Sequence, residues 1–131
     1  MFTDKEVEYL SSQGTGRLAT VSPSGQPDVA PVGYLFEGDT FTIRGINLAK
    51  TLKYLNTKRG SDRAAFVVDD YETEDYSRPR GLKIHGRAEI VGEGDKEEIR
   101  VTPDRKWSWG INEAMFQDGR RVIERRSGEG E

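Results

Sequence analysis

The sequence contains no cysteine and a single histidine, His85, among its 131 residues. The lack of cysteine excludes disulfide bonds, thiolate metal ligands and cysteine nucleophiles. One histidine cannot supply a multi-histidine zinc site, and a Ser-His-Asp triad would have to use His85 itself. We therefore expect no metal site and no catalytic triad, and we identify no catalytic residue.

Long apolar runs and a strong net charge are also lacking. No stretch approaches the roughly 20 apolar residues that a membrane-spanning helix needs, and residues 1–6 contain no apolar signal segment. The 20 basic and 23 acidic residues leave a net charge of -3, which does not favour binding to nucleic acid. We expect a cytoplasmic protein that neither inserts into membranes nor binds nucleic acid.

Alternating apolar and polar residues predict a mainly β protein. We expect one domain over residues 1–126 and a disordered Gly/Glu-rich tail over 127–131. Six strands at short spacing favour an antiparallel barrel, closed or nearly closed, flanked by two helices. The predicted strands are residues 17–21, 26–36, 40–44, 64–68, 82–90 and 98–109.

Two helices are predicted from their caps and apolar spacing. Thr3 and Glu6 fit a capping box for the first helix, which Val7 and Leu10 would anchor in the core. Asn47 would be the N-cap of the second helix. The recurrence of leucine at positions 48, 52 and 55 predicts the buried face of that helix.

Basic residues are concentrated where the third strand meets the second helix. Arg44 ends the strand, Asn47 caps the helix, and Lys50 lies at about its third position. Two cations would thus meet the positive end of the helix dipole, which is a suitable place for a phosphate. A solvated basic face explains the same spacing equally well, and it is the better explanation for Lys53, Lys58 and Arg59.

Three other features have a structural and a functional interpretation. Pro27 and Pro31 lack the N–H that a central strand needs, so residues 26–33 are either a protected edge strand or a stretch of backbone open to a planar ligand. His85 is expected on a polar strand face, and catalysis by it is the weaker interpretation. Trp107 and Trp109 share one face, suited to core or dimer packing or to the wall of a cofactor site.

The order of several short motifs resembles the split-barrel family related to pyridoxamine-phosphate oxidase, over roughly residues 3–112. Within that family the chain is most similar to the branch that uses the deazaflavin coenzyme F-420, group B of the flavin/deazaflavin oxidoreductases. The motifs are Gly16-Arg17-Leu18-Ala19-Thr20-Val21, Gly25-Gln26-Pro27, Pro31-Val32, Phe41-Thr42-Ile43-Arg44, Ala49-Lys50, Gly81-Leu82-Lys83-Ile84-His85-Gly86-Arg87-Ala88 and Ser108-Trp109-Gly110.

This resemblance implies a six-stranded antiparallel split β-barrel of the FMN-binding type, which forms a homodimer with its cofactor sites at the interface. Lys50 matches the position that binds the cofactor phosphate, with Arg44 and Asn47 beside it. Pro31 and Val32 match backbone positions that line the tricyclic ring. The full set of cofactor-binding positions that the resemblance implies is Gln26, Pro31, Val32, Thr42, Arg44, Asn47, Ala49 and Lys50.

Two departures from the FMN-binding relatives indicate which cofactor to expect. Asp28 and Ala49 stand where those relatives carry cations, and the loss of two positive charges favours the singly charged phosphodiester of F-420 over the phosphate of FMN. The implied activity is hydride transfer from reduced F-420 to a small unsaturated acceptor, such as a quinone or tetrapyrrole. Vitamin B6 oxidation is not expected, because the chain lacks the C-terminal extension that completes that site. The alternatives are an FMN-dependent reductase or oxidase on the same barrel and a non-enzymatic carrier of a flavin-type cofactor.

Overall fold

The computed structural model describes residues 1–112 and three two-residue strands beyond them, β8 (Phe116–Gln117), β9 (Arg120–Arg121) and β10 (Glu124–Arg125). The predicted tail, 127–131, lies outside the described residues. Two short 3-10 turns occupy Leu48–Lys50 and Gly94–Lys96. The remaining elements are α1 (Asp4–Ser12), β1 (Thr15–Val21), β2 (Pro27–Gly33), β3 (Leu35–Glu37), β4 (Thr40–Ile43), α2 (Leu52–Arg59), β5 (Arg63–Tyr71), β6 (Pro79–Val91) and β7 (Glu98–Trp109).

Eight strands form one antiparallel sheet in the order β2-β1-β5-β6-β7-β4-β3, with β10 also paired to β7, and β8 and β9 form a separate two-stranded sheet. Strands β2 and β3 are at opposite ends of this order, yet only Tyr34 separates them in the chain. The sheet therefore curls until its two ends meet, which makes a barrel that is split between β2 and β3. The predicted mainly β antiparallel barrel is confirmed. The strand count differs, because the single run predicted over 26–36 is divided at Tyr34.

The barrel interior is filled by alternate residues of each strand. On β6, Leu82, Ile84 and Ala88 are buried while Lys83 and His85 are exposed, as the sequence predicted. An aromatic cluster closes the interior around Phe41, which is fully buried. The ring centroid of Phe41 lies 4.7 Å from that of Phe66, 5.0 Å from Phe36 and 5.5 Å from Tyr34.

Helix α1 begins with the predicted capping box. The Thr3 Oγ1 accepts the N–H of Glu6 at 3.1 Å, and the Glu6 carboxylate accepts the N–H of Thr3 at 3.0 Å. The predicted apolar face is partly wrong, because Leu10 is buried but Val7 is exposed. Glu6 and Tyr9 occupy the buried face with Leu10. The buried Glu6 carboxylate is paired with a cation inside the barrel.

That partner is Lys106, whose ammonium donates to Glu6 inside the barrel. Ser108 and Asn112 also donate to the Glu6 carboxylate, each at 2.9 Å. Asp104 has no partner in the β6–β7 register, so it is an extra residue in β7. The buried positions of β7 are therefore odd-numbered before Asp104 and even-numbered after it, which points Lys106 into the interior. This buried pair fixes α1 against β7.

The Glu6 network makes stability depend on pH. Burial raises the pKa of the Glu6 carboxyl, but the hydrogen bonds from Lys106, Thr3, Asn112 and Ser108 outweigh it and bring the pKa below the usual 4.5. Because the folded pKa is below the unfolded one, this stabilisation is present above about pH 4.5 and is lost as the pH falls through the folded value. We expect the drop in urea midpoint between pH 7 and pH 3.5 to be smaller in Glu6→Gln than in the natural chain. Equal drops in the two proteins would contradict this assignment.

The second helix begins later than predicted. Asn47 precedes only the short turn Leu48–Lys50 and makes no capping hydrogen bond with its side chain. Helix α2 instead starts at Leu52, where the Oγ1 of Thr51 accepts the N–H of Tyr54. The predicted leucine stripe is therefore broken: Leu48 is buried, but Leu52 is 60% exposed.

Tyr54 and Asn56 supply the buried face of α2 instead. The Asn56 side-chain amide donates to the Thr20 hydroxyl of β1 at 3.0 Å, which anchors the helix to the sheet. Among the described residues, no helix combines the length and the apolar composition that crossing a bilayer requires.

Candidate functional site

The turn between β4 and α2 carries four of the eight predicted site residues. Leu48 inserts into the core, and a Cβ on Gly45 would lie 3.7 Å from its side chain, so the turn folds back on itself. The residues on either side of Leu48 remain exposed. Asn47, Ala49 and Lys50 thus form one solvent-facing surface, and Arg44 enters the turn from β4.

The cations of this turn differ in their partners. Arg44 donates to the carboxylate of Glu98, at the start of β7. It also lines a cleft of about 380 Å³ in which the other charged residues are Asp95, Lys96, Glu97 and Glu98. Lys50 makes no ion pair or hydrogen bond with its side chain to any described residue. It is the third residue after Asn47, as predicted, but there it ends a 3-10 turn and does not lie within α2.

Asn47 also has an unused side-chain amide. Its backbone is left-handed, with φ 57° and ψ 37°, a conformation that asparagine tolerates better than most residues. Because the amide caps no backbone group, it can bind a ligand beside Lys50. The turn therefore offers an anion one unpaired cation and one neutral amide, with the second cation engaged by Glu98.

Strand β2 has one open edge. It pairs with β1 over its whole length, with Pro31 opposite Arg17 and Pro27 opposite Val21. Since a proline has no N–H to donate, these positions are the ones that do not bond to β1, and the Pro31 carbonyl points to the open edge. Val32 is buried, and its backbone N–H and C=O face β1, because hydrogen-bonded and non-hydrogen-bonded positions alternate along an antiparallel strand. The edge-strand interpretation is confirmed, and its exposed backbone is also open to a planar ligand.

Gln26 and Thr42 lie away from Lys50. The Gln26 side chain donates to the Pro27 carbonyl at 2.9 Å, in the turn between β1 and β2. The end of α2 lies next to this turn, because the N–H of Ser61 donates to the carbonyl of Val21. Eight helical residues span about 12 Å, so Gln26 and Lys50 lie beside opposite ends of α2. Thr42 is half-buried on β4, paired with Arg100 and Leu35. One chain therefore does not bring Gln26 and Lys50 together.

His85 lies on the outer face of the sheet, as predicted. Its ring centroid is 4.6 Å from that of Trp107, beside a hollow of about 260 Å³. Burial lowers the pKa of the imidazole, and Lys83 and Arg105 lower it further while Asp104 opposes them. The imidazole is therefore neutral at pH 7. Trp109 packs instead on Gly81, where a Cβ would come within 2.4 Å of the indole.

One cluster was not found by sequence reasoning. Tyr9 donates to Asp70 at 2.9 Å, and Arg80 binds the same carboxylate through two nitrogens at 2.8 and 3.0 Å. The neighbouring carboxylate, that of Asp69, is also paired, with Arg17. No local signal in the sequence connects Tyr9 to Arg80. Within residues 1–112 no group of histidine, cysteine or acidic residues is arranged to hold a metal ion.

Comparison with known proteins gives one family and several similar folds. The pyridoxamine 5'-phosphate oxidase family matches residues 2–129. A curated relative, the 5a,11a-dehydrotetracycline/5a,11a-dehydrooxytetracycline reductase of Streptomyces rimosus, is 38% identical over 120 residues, which are 84% of each chain.

Two solved structures show the same fold. A conserved hypothetical protein of Mycobacterium tuberculosis superposes with a TM-score of 0.68 at 24% identity, covering 84% of this chain and 86% of its own. An FAD-binding protein of Mycobacterium smegmatis gives a TM-score of 0.60 at 19% identity, covering 80% and 91%. The resemblance stated from the motifs is thus confirmed, and the chain belongs to the pyridoxamine 5'-phosphate oxidase family.

Proposed function

We propose that the protein is an oxidoreductase that uses coenzyme F-420 and reduces a small unsaturated organic acceptor. The reductase from Streptomyces rimosus supports the reaction class, because it covers most of this chain at 38% identity. The observation that carries the choice of cofactor is the charge of the turn between β4 and α2.

That turn offers a phosphate one unpaired positive charge. Arg44 is neutralised by Glu98, Ala49 carries no charge, and Lys50 is unpaired among the described residues. A phosphomonoester such as that of FMN carries about -1.5 to -2 charges at pH 7, and this turn would neutralise only part of that. A phosphodiester carries one negative charge, which Lys50 balances. The turn therefore fits F-420 better than FMN.

The residues of the chain bind and orient the cofactor. Lys50 would hold the phosphate by a charge-assisted hydrogen bond, and the amide of Asn47 would donate a second bond. The Pro31 carbonyl at the open edge of β2 would contact the tricyclic ring, with the backbone of Val32 beside it. When bound, F-420 supplies the hydride, while the chain supplies position and exclusion of water.

We propose that the cofactor site is completed by a second copy of the chain. Gln26 and Lys50 lie beside opposite ends of α2 in one chain, so two protomers of a homodimer would build each site together. Large apolar side chains support this, since Ile46 is 93% exposed beside Asn47 and Val29 is 67% exposed on β2. Leu52, at the start of α2, is also exposed. Exposed apolar surface of this kind marks an interaction site.

Lys50→Ala is expected to weaken F-420 binding by about 1–3 kcal/mol, the range for losing a charged hydrogen bond. This corresponds to about a 5- to 150-fold increase in Kd, measured by fluorescence titration of the purified dimer. Lys53→Ala is the matched control, because Lys53 is also an unpaired lysine but lies within α2. Unchanged affinity in Lys50→Ala would remove Lys50 from the site.

The same titration with FMN tests the choice of cofactor. We expect the natural chain to bind F-420 more tightly than FMN. Tighter binding of FMN would identify a flavin-dependent enzyme on the same barrel. Binding of F-420 without hydride transfer to a quinone, an enone or a tetrapyrrole would instead identify a cofactor carrier.

A further inference from the structure

A cleft of about 560 Å³ separates helix α1 from the hairpin formed by β5 and β6. The helix lines the cleft with one of its faces, because the side chains at positions 5, 8, 9 and 12 lie on the same side of an α-helix. Tyr9 lies where this face meets the buried face that Glu6 and Leu10 form. Among the described residues, the cleft is lined by Lys5, Glu8, Tyr9, Ser12, Glu72, Arg80, Gly110 and Ile111.

Arg80 is held rigidly at the bottom of this cleft. Its Nε and Nη2 atoms bind Asp70, and its guanidinium lies 5.0 Å from the centroid of the Tyr9 ring. Two hydrogen bonds to one carboxylate and the ring on its face fix the direction of the guanidinium.

One edge of this guanidinium is still available. A guanidinium has five N–H groups, and Asp70 occupies the edge formed by Nε and Nη2. The edge formed by Nη1 and the second hydrogen of Nη2 makes no hydrogen bond with a described residue. A fixed pair of N–H donors is suited to a carbonyl or enolate oxygen that belongs to a planar conjugated group.

The rim of the cleft is acidic. Glu8 and Glu72 have no ion pair or side-chain hydrogen bond with a described residue, and Glu72 is close enough to Arg80 to raise the pKa of its guanidinium. Counting Asp70, three carboxylates face the two cations Lys5 and Arg80. The net charge of -1 disfavours a simple anion and favours a ligand that carries an ammonium group.

We propose that this cleft binds a small organic amine with a conjugated carbonyl or enolate oxygen, and that the acceptor enters here. Arg80 would take the oxygen, and Glu8 and Glu72 would take the ammonium. The assignment as acceptor site rests on the proposed function. It is supported by the chain path, since Ser12 in the cleft is followed by Gly14, whose carbonyl accepts the N–H of Tyr34 at the end of β2. Two residues beyond the cleft, the chain is therefore hydrogen-bonded to the residue that follows the strand proposed to contact the ring.

The test is the binding of oxytetracycline, which carries a dimethylamino group and enolised carbonyls, to the full chain without F-420. EDTA is present to remove divalent ions, and binding is followed by nitrogen–proton NMR of the Gly110 and Ile111 amides. The double variant Glu8→Gln/Glu72→Gln is expected to raise the Kd about tenfold, the effect of losing a charged contact. Glu74→Gln, an exposed change in the same hairpin, is the control and should leave the Kd unchanged.

Arg80→Lys is a second variant that keeps the charge but loses the fork of donors, and it too should raise the Kd by about tenfold. Failure of oxytetracycline to shift the Gly110 and Ile111 signals would overturn the proposal. Equal affinity in the double variant and the natural chain would also overturn it. Because F-420 is left out, failure here is distinct from failure of the cofactor titration.

Discussion

Replacing Lys106 by methionine lowers the free energy of unfolding by about 3–5 kcal/mol, the cost of leaving one member of a buried ion pair without its partner. The Glu6 carboxylate would remain inside the barrel with Ser108 and Asn112 as its side-chain donors. Urea denaturation at pH 7 measures the loss. At pH 7 the chain cannot relieve it cheaply, because the carboxyl would have to take up a proton well above its usual pKa.

The double variant Glu6→Gln/Lys106→Met recovers most of this stability. A neutral glutamine keeps its oxygen for the Thr3 amide and leaves no uncompensated charge. Lys96→Met is the matched control, since Lys96 is exposed in the turn before β7 and its change should stay within about 0.5 kcal/mol. If the single and the double variant unfold at the same urea concentration, the pair is not what stabilises this end of the barrel.

Phe41→Ala is expected to cost about 3–5 kcal/mol, the range for removing a buried phenyl ring. Phe41 is fully buried, and it contacts the rings of Phe66, Phe36 and Tyr34 at the centre of the aromatic cluster. Because β4 leads into the turn that carries Lys50, this variant should also bind F-420 more weakly than the natural chain. Thermal unfolding and the fluorescence titration measure the two effects.

Tyr76→Ala serves as the comparison. Tyr76 also packs edge to face on another ring, that of Tyr71, but its side chain is 72% exposed. Its loss should cost less than about 0.5 kcal/mol. A loss below about 1 kcal/mol in Phe41→Ala would mean that the cluster can close over the cavity and that Phe41 is not its centre.

Strands were predictable where one face is buried without interruption. The alternation of Leu82, Ile84 and Ala88 with charged residues located β6, and the turn over residues 92–95 located the start of β7. The capping box of α1 was predictable because its two hydrogen bonds join Thr3 and Glu6 within a single helical turn. Local patterns report local contacts reliably.

Contacts between distant residues were not predictable. Val7 looked like the buried position of α1, but Lys106 lies 100 residues from Glu6 in the chain and draws its carboxylate inward. Leu52 looked like part of a helical stripe, yet the extended backbone of Thr51 starts a new helix there. The extra residue in β7 had no signal in the sequence, and it decides which side chains enter the barrel.

The sequence predicted where the turn that carries the candidate site lies, but not which of its charged side chains are paired. Arg44 and Lys50 were expected to act together on a phosphate, and their spacing gave no indication that Glu98 would pair with Arg44. That pair reduces the available charge at the turn and strengthens the choice of a phosphodiester. The Tyr9, Asp70 and Arg80 cluster joins α1 to the distant β5–β6 hairpin, so it became visible only in the folded chain.

Asp104 has no residue opposite it on β6, and this extra residue constrains how the barrel can change in evolution. Deleting one residue near position 104 would turn Lys106 and Ser108 towards water and Trp107 and Trp109 into the interior. No single further substitution could repair such an inversion, because at least four side chains would have to exchange polarity together. The length of β7 and the pattern of its second half are therefore expected to vary jointly among descendants, with point substitutions tolerated far more often than a lost or gained codon.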